Sequence, residues 1–339
     1  MQNNNDILVS VYMASYNHED YVEKALLSVI KQKTNFKVQI IVHDDASTDE
    51  TQNIIKKIDA LYPGRLFCIF QKENQYSKGV PIFKTFVKPL IKGKYFIACE
   101  CDDYWCDLNK LQKQVDFLES NPHFVCCTHN CKTVDENDKE IDIRSLQVVK
   151  CKEHVYKRKC FEYLAYFPGP TAAKLYRASV LKKYGDDFYN GFYSIKTQGD
   201  VRTNFLLSLE GPIFYMSDIM SVYRRVSSHG DSWSARYKDV NLNDRRFISS
   251  IQMRRFAKRF YGIHYKNYYL TFNAAIRAFI LFFKNKNEAN KTVLQNIIRQ
   301  KKNMFCLLLY LFLISFIAIP LYLIRTALRK RVLLKNGTD

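Results

Sequence analysis

The sequence predicts an α/β protein built on a doubly wound, largely parallel sheet. Two observations indicate this class. Short apolar runs alternate with amphipathic helical segments over the first 130 residues or so, and an acidic cluster follows two of these runs where a strand would end. In open sheets of this kind, ligands bind in the crevice beyond the carboxyl ends of the strands. The same pattern therefore predicts a fold class and the edge of the sheet that would carry a site.

Each element has its own pattern. Residues 7–13 are an apolar, β-rich run typical of a buried parallel strand, and residues 19–32 carry apolar side chains at helical spacing. Ser47 and Glu50 have the spacing of a capping box, which predicts a helix directly after them. The alternation continues with predicted strands at 38–42, 66–70, 95–99 and 124–128 and predicted helices at 82–91, 110–118 and 201–209.

The composition is that of a folded protein with an uneven charge distribution. The chain has 339 residues, of which 47% are hydrophobic and 25% charged, and its formal net charge is +19. Residues 236–339 contain 21 Lys and Arg but only 4 Asp and Glu, a net +17, so residues 1–235 carry only +2. The ten cysteines form no Cys-x-x-Cys pair, which favours small buried thiols over a zinc site.

The C-terminal part is predicted to associate with a membrane. Residues 304–324 contain no charge, are just long enough to cross a bilayer, and have basic residues on both sides. Pro320 interrupts the run, so a span, a hairpin-like insertion and an interfacial helix all stay open, with a buried core helix as the alternative. The N-terminus lacks the features of a secretory signal. We therefore predict a domain at 1–235 on the cytoplasmic side, a basic helical region at 236–302 and a membrane-associated segment at 303–339.

Two familiar phosphate-binding patterns are absent from the sequence. No Gly-x-Gly-x-x-Gly follows the first predicted strand, and no Walker-type Gly-Lys-Ser/Thr occurs. These absences argue against a dinucleotide-dependent dehydrogenase and a P-loop ATPase. A nucleotide would have to be held by carboxylates and a metal ion instead.

The two acidic clusters supply such carboxylates. Asp44 and Asp45 follow the second strand, and Glu100, Asp102 and Asp103 follow the fourth. Carboxylates this close repel one another unless a cation or a hydrogen-bonding ligand lies between them, and oxygen ligands suit Mg²⁺ or Mn²⁺. The alternatives are acids that favour a helix N-terminus at Asp44 and Asp45, and an ordinary acidic turn at Glu100–Asp103.

Five motifs in order resemble the family 2 glycosyltransferases, which have the GT-A fold. They are Val-Ser-Val-Tyr-Met-Ala-Ser-Tyr-Asn, Ile-Val-His-Asp-Asp-Ala-Ser-Thr-Asp-Glu-Thr, Glu-Cys-Asp-Asp-Tyr-Trp, Gln-Gly-Asp before a helix, and Val-Tyr-Arg leading into His-Gly-Asp-Ser-Trp. Each motif alone is loose, but the resemblance covers residues 7–234. It implies an inverting transfer of sugar from a nucleotide diphospho-sugar.

The resemblance also implies roles for individual residues on the donor side. Asp45 matches the acid that contacts the uracil or ribose, Asp44 supports the same turn, and Lys78 lies where the family presents a basic side chain to the nucleotide. A solvated loop lysine is the alternative for Lys78. These matches imply a nucleotide sugar as substrate, with a UDP-sugar as the first expectation.

Metal and catalytic roles are implied in the same way. Asp103 and Asp102, with Glu100 beside them, match the Asp-x-Asp element that binds Mn²⁺ or Mg²⁺. His229 matches an additional metal ligand, with a solvated loop histidine as the alternative. Asp200 matches the catalytic base that takes the proton of the acceptor hydroxyl, although an aspartate at a helix start is also a common N-cap.

Membrane placement and the resemblance together favour a role in bacterial surface polysaccharide or lipid-linked glycan assembly. The expected partners are a nucleotide sugar, a glycan or lipid-linked acceptor and an anionic membrane surface on the cytoplasmic face of the inner membrane, with no nucleic acid. Two alternatives stay open. One is a nucleic-acid-binding module that uses the basic aromatic stretch 245–277. The other is an inactive membrane scaffold.

Overall fold

The computed structural model describes residues 7–141, 154–164, 169–226 and 241–299. The chain divides into two compact units. The first comprises Met1–Ser194, Gln198–Val240 and Phe260–Gly262, and the second comprises Ile195–Thr197, Asn241–Arg259 and Ile263–Asp339. The acidic clusters lie in the first unit.

The first unit is organised around one mixed sheet of nine strands. The strands are β1 (Ile7–Ser15), β2 (Lys37–Asp44), β3 (Leu66–Phe70), β4 (Tyr95–Glu100), β5 (Tyr104–Trp105), β6 (Cys126–Val134), β7 (Val155–Tyr156), β8 (Leu175–Arg177) and β9 (Ile213–Arg224).

The strand order places the ends of β1, β2 and β4 side by side. The order is β3-β2-β1-β4-β8-β6-β9-β5, and β7 pairs with β9. The first four strands are mutually parallel, and their register sets Ser15 opposite Asp44 and Ala14 opposite Glu100. Strand β8 runs antiparallel to both β4 and β6. The four parallel strands therefore match the predicted parallel α/β sheet. The strands beyond β4 extend this sheet with both parallel and antiparallel pairs.

Helices cover the faces of this sheet. In the first unit they are α1 (Val22–Ile30), α2 (Thr51–Leu61), α3 (Lys110–Ser120), α4 (Arg158–Leu164), α5 (Ser179–Lys182), α6 (Asp186–Tyr193) and α7 (Gly199–Glu210). Apolar residues of β1, β2, β4, α1, α2 and α3 form one fully buried core, which includes Val11, Leu26, Ile40 and Ile97. Burial on both faces explains why these strands are continuous apolar runs.

Two local predictions are wrong. The segment predicted as one helix at 82–91 is a π-helical turn, Phe83–Val87, followed by a 3₁₀ turn, Lys88–Leu90. Pro89 has no N–H to donate, so a regular α-helix cannot continue through it. The predicted capping box is also absent, because the Ser47 hydroxyl bonds to the Asp44 carboxylate and α2 begins only at Thr51.

The second unit is helical in its described part. It contains most of α8 (Asn243–Tyr261), together with α9 (Tyr268–Lys284) and α10 (Glu288–Arg299). Phe247 of α8 packs with three alanines of α9 and with Val293 and Ile297 of α10. A buried hydrogen bond of 2.7 Å joins the hydroxyl groups of Ser250 and Thr271, which ties α8 to α9.

The remaining predictions about the chain's organisation concern cysteines and the apolar run. The eight cysteines among the described residues are free thiols, and several are fully buried. Within the described ranges, no helix combines the length and the apolar character needed to cross a bilayer. The apolar run at 304–324 lies outside the described residues, as do the boundaries of the predicted segment 303–339.

Candidate active site

Asp44 and Asp45 form a turn at the end of β2 that is held from within. Both are buried. The Asp44 carboxylate accepts hydrogen bonds from the Ser47 backbone amide at 3.0 Å and from the Gln52 side chain at 2.6 Å. The Asp45 amide donates to the carbonyl of Ser15 at 3.0 Å, which joins this turn to the end of β1. Asp44 therefore stabilises the turn from within.

The Asp45 carboxylate organises the loop that carries Lys78. Its two oxygens accept hydrogen bonds from the backbone amides of Gln75 at 2.8 Å and Tyr76 at 2.9 Å. Lys78 is exposed and forms an ion pair with Glu73 of the same loop. A carboxylate oxygen can accept more than one hydrogen bond, so Asp45 keeps capacity for a ligand. The structure thus adds a loop-anchoring contact to Asp45 that the sequence did not predict.

Glu100, Asp102 and Asp103 form a compact acidic cluster at the end of β4. One carboxylate oxygen from each can be chosen so that all three lie within 4.8 Å of one another. Glu100 is exposed, Asp102 half-buried and Asp103 only 2% exposed. Among the described residues, one buried oxygen of Asp102, Oδ1, and one of Asp103, Oδ2, have no hydrogen-bond partner. Buried carboxylate oxygens without partners are costly, and a cation would satisfy them.

Electrostatics in the cluster favour the same conclusion. Burial, followed by the charges of Asp102 and Glu100, raises the pKa of Asp103 well above its usual value. Glu100 is accessible to solvent, but the surrounding protein still desolvates it. This desolvation, reinforced by the charges of Asp102 and Asp200, raises the pKa of Glu100 to about 8. A divalent cation between these groups would favour their ionised forms, so the residues present fit Mg²⁺ or Mn²⁺.

Arg224 holds the acidic turn in place from the end of β9. Its backbone amide donates to Asp103 Oδ1 at 2.8 Å, and its Nε donates to the carbonyl of Asp102 at 3.0 Å. Its remaining guanidinium nitrogens bond to the carbonyl of Asp135 at 3.0 Å and the carboxylate of Asp138 at 2.7 Å. The side chain is buried, so Arg224 is a structural cation that joins the acidic turn to the segment that contains Asp135 and Asp138.

Asp200 lies in the first turn of α7, on the surface of the first unit. The N-cap position belongs to Gln198, so the N-cap alternative for Asp200 is wrong. Its carboxylate accepts a hydrogen bond of 2.7 Å from the Val201 amide and is otherwise exposed. Its charge acts on both Glu100 and Lys174, which places it near the acidic cluster.

Tyr12 links the two acidic clusters. It lies on β1, between β2 and β4. Burial raises its pKa, and the charges of Glu100 and Asp45 raise it further. Asp45 and the cluster at Glu100 therefore lie at one edge of the sheet, and Asp200 lies near the cluster.

Lys174 is the residue that the sequence analysis missed. It lies between a 3₁₀ turn and β8 and is only 6% exposed. Burial lowers the pKa of Lys174 below its usual value, although the negative charges of Asp200 and Glu100 act in the opposite direction. No carboxylate of the described residues lies within ion-pair distance of its ammonium group. The position of Lys174 depends on the pairing of β8 with β4. A three-residue strand leaves no periodic signal in the sequence from which this pairing could be predicted.

His229 lies outside the described residues, as does the rest of the His-Gly-Asp-Ser-Trp motif. Its role stays a prediction.

Comparison with known proteins agrees with this geometry. The sequence model of glycosyl transferase family 2 matches residues 10–185, which is more than half of the chain. The chain therefore belongs to glycosyltransferase family 2.

One relative and two solved structures illustrate what this chain is similar to. An Escherichia coli protein, the UDP-Glc:alpha-D-GlcNAc-diphosphoundecaprenol beta-1,3-glucosyltransferase WfaP, is 35% identical over 117 residues, or 34% of this chain and 43% of that protein. Staphylococcus aureus TarS 1-349, solved with UDP-GlcNAc, aligns with 87% of this chain and 93% of its own at a TM-score of 0.51 and 18% identity.

The mannosyltransferase PcManGT from Pyrobaculum calidifontis, solved with GDP-Man and Mn²⁺, aligns with 88% of this chain and 83% of its own at a TM-score of 0.50 and 15% identity. At these identities the structural matches establish the GT-A-like α/β fold. The chain spans 36 to 43% of the length of the first curated relatives it matches.

Proposed function

We propose that this protein is a metal-dependent, inverting glycosyltransferase. It would transfer a sugar from a nucleotide diphospho-sugar, a UDP-sugar in the first instance, to an acceptor hydroxyl in bacterial polysaccharide or lipid-linked glycan assembly. The observation that carries the proposal is a pair of buried oxygens on Asp102 and Asp103 that have no partner in the described part of the chain, in a cluster beside Asp200. Family membership supports the reaction class.

The acidic cluster would hold the metal ion. Asp103 and Asp102 offer the free oxygens, and Glu100 completes the set of three carboxylates. Bound there, Mn²⁺ or Mg²⁺ would neutralise negative charge on the departing nucleoside diphosphate. His229, which follows β9 in the sequence, is the proposed additional ligand. Arg224 would keep the acidic turn at a fixed geometry, as outer partners of metal ligands generally do.

The turn after β2 would receive the nucleoside. Asp45 anchors the backbone of Gln75 and Tyr76 and retains acceptor capacity toward a base or ribose. Asp44 stabilises the turn beneath it. Lys78 would leave Glu73 for the nucleotide, a small change because an exposed ion pair contributes little to stability.

Asp200 would act as the general base. It is exposed and lies at the rigid start of α7, where it could accept the proton of an acceptor hydroxyl as that oxygen attacks the anomeric carbon. Lys174 lies beside Asp200 and Glu100, so its ammonium group would offset part of their negative charge.

The acceptor would meet the enzyme at a membrane. The basic C-terminal region and the uncharged run at 304–324 favour placement on the cytoplasmic face of the inner membrane. The E. coli relative's name specifies a diphosphoundecaprenol-linked acceptor, which supports a lipid-linked acceptor here.

A donor screen tests the proposal. Full-length protein is incubated with UDP-, GDP- and dTDP-sugars, with Mn²⁺ or with EDTA, and release of nucleoside diphosphate is measured. We expect Mn²⁺-dependent release from one donor class, which Asp200→Asn reduces strongly without unfolding the protein. Equal release from Asp200→Asn would contradict the assignment of the base. Absence of both binding and release for every donor would favour the inactive scaffold.

A further inference from the structure

Helix α9 has two apolar faces, and only one of them is covered. Ala274, Ala275 and Ala278 face the core of the second unit, where they pack with residues of α8 and α10. On another side of the same helix, Phe279, Ile280 and Phe283 are 37%, 46% and 56% exposed. A helix that is apolar on opposite sides normally has both sides covered.

These three exposed residues and half-buried Ile276 form one continuous stripe. Ile276, Phe279, Ile280 and Phe283 have the i, i+3, i+4, i+7 spacing that aligns side chains along a helix. The rings of Phe279 and Phe283 pack against each other, with centroids 4.6 Å apart. The second unit therefore presents a preformed apolar ridge, which we call the α9 ridge.

Two arginines lie close together next to the α9 ridge. Arg246 and Arg277 are both exposed. Arg246 directly precedes Phe247 and Arg277 directly precedes Ala278, two residues of the α8–α9 contact. The charge of Arg277 lowers the pKa of Arg246, after the larger effect of its partial burial. Among the described residues, neither arginine has a carboxylate within ion-pair distance. Like charges held together in this way favour an anionic ligand.

Further basic residues extend the same surface. Lys284 ends α9, Lys286 follows it, and both are exposed. The sequence beyond Arg299 continues with Lys301, Lys302 and the uncharged run at 304–324. An apolar ridge edged by cations is the pattern of a helix that lies in a membrane interface, with its apolar side chains among the acyl chains and its cations at the phosphate groups.

We infer that the α9 ridge, with Arg246 and Arg277, docks on an anionic phospholipid bilayer. A second copy of this chain is a poorer occupant, because a symmetric contact through the ridge would bring two arginine pairs together. The inference rests on the membrane placement proposed above and assigns it a surface in the described part of the second unit. It would hold the unit flat on the membrane whether or not residues 304–324 span it.

The test is hydroxyl-radical footprinting of the full-length protein, which reports the exposure of individual side chains. The samples contain no vesicles, vesicles of phosphatidylcholine, or vesicles of phosphatidylcholine with phosphatidylglycerol. We expect oxidation of Phe279 and Phe283 to fall several-fold with the anionic vesicles only. Leu61 is 66% exposed on α2 of the first unit and serves as the internal control, which should not change.

Matched variants separate the contribution of the two arginines to docking from that of the apolar side chains. Replacing Arg246 and Arg277 by glutamine should weaken docking by about fivefold for each arginine. The control Lys33→Gln with Lys57→Gln removes the same charge from exposed positions of the first unit and should leave docking unchanged. Phe283→Ser should weaken docking, whereas Leu61→Ser should not.

The other outcomes would overturn the inference. Unchanged oxidation with both vesicles would exclude docking, and equal protection by neutral vesicles would exclude an anionic surface. Protection that rises with protein concentration without lipid would identify a second copy as the occupant, and protection by an RNA oligonucleotide instead of vesicles would identify nucleic acid. Nucleoside diphosphate release is measured without vesicles in parallel, so that a failure of docking is distinguished from a failure of the proposed enzyme function.

Discussion

The backbone amide of Arg224 donates a hydrogen bond of 2.8 Å to Asp103, a residue 121 positions earlier in the chain. This bond and the contact of Arg224 Nε with the carbonyl of Asp102 fix the acidic turn from the end of β9. As a result, Asp103 Oδ1 is occupied, whereas Asp103 Oδ2 has no partner within the described ranges. The geometry of the proposed metal site thus depends on β9 as well as on β4.

Replacing Arg224 by methionine should therefore weaken both the fold and the metal site. The change leaves the carbonyls of Asp102 and Asp135 without their donors, so we expect the free energy of unfolding to fall by roughly 2 kcal/mol, as is usual for a lost buried partner. Denaturant unfolding measures this change, and a Mn²⁺ titration should show weaker binding. The control is Arg225→Met, an exposed neighbour, which should change neither quantity.

Replacing Asp200 by asparagine should remove the general base with little change in shape. We expect kcat for sugar transfer to fall by about 10²- to 10⁴-fold, the usual contribution of such a group. The free energy of unfolding should stay the same, because Asp200 is exposed. Asp20→Asn, at another exposed acid, is the control. A variant of Asp200 with near-normal kcat would remove this residue from the mechanism.

Lys174 should contribute through its charge. In Lys174→Met the acids at positions 100 and 200 lose their buried neighbouring cation, and we expect kcat/KM to fall by about tenfold or more, the effect of one opposite charge at close range. Lys174→Arg keeps the charge and should recover part of the loss. Equal defects in both variants would indicate that the lysine acts by packing alone.

Lys110 predicts a specific pH dependence of stability. It is fully buried, and its Nζ bonds to Gln114 at 2.8 Å and lies 4.1 Å from the ring centre of Trp105. Burial lowers its pKa from 10.5 to about 7. Between these pH values the unfolded chain binds a proton that the folded chain does not, so stability should rise with pH by up to about 1.4 kcal/mol per unit.

Lys110→Met should lose this rise and be more stable than the parent protein near pH 7. Denaturant unfolding of both proteins between about pH 7 and 8.5 measures the difference in the free energy of unfolding. These pH values lie between the folded and unfolded pKa values of Lys110, about 7 and about 10.5, where the rise is expected. Lys57→Met, at an exposed position, should behave as the parent does. If the free energies of unfolding of the parent and of Lys110→Met change by the same amount over this pH range, Lys110 is not buried in neutral form.

The sequence predicted those features of the fold that depend on local patterns. Strands β1, β2 and β4 are apolar runs because both their faces are buried, and the acids after β2 and β4 mark their carboxyl ends. The register of β1 with its two neighbours then brings those acids together. Since parallel strands end at one edge of the sheet, the position of the candidate site was also predictable.

Other features depend on contacts between distant residues and left no local signal. Strand β8 has three residues and is defined only by its pairing with β4 and β6, so the position of Lys174 could not be read from periodicity. The contacts of Arg224 span 86 to 122 residues. The capping box failed because the Ser47 hydroxyl had a competing acceptor in Asp44, which a motif does not reveal.

Calorimetric titration of the full-length protein with UDP tests the central claim most directly, namely that Asp102 and Asp103 hold a cation needed for nucleotide binding. It is performed with Mn²⁺ and with EDTA, on the parent protein and on Asp103→Asn. We expect binding to the parent only with Mn²⁺, and at least about tenfold weaker binding to Asp103→Asn, in line with the loss of one metal ligand or its outer partner. UDP binding of equal strength in EDTA, or to Asp103→Asn, would contradict the claim.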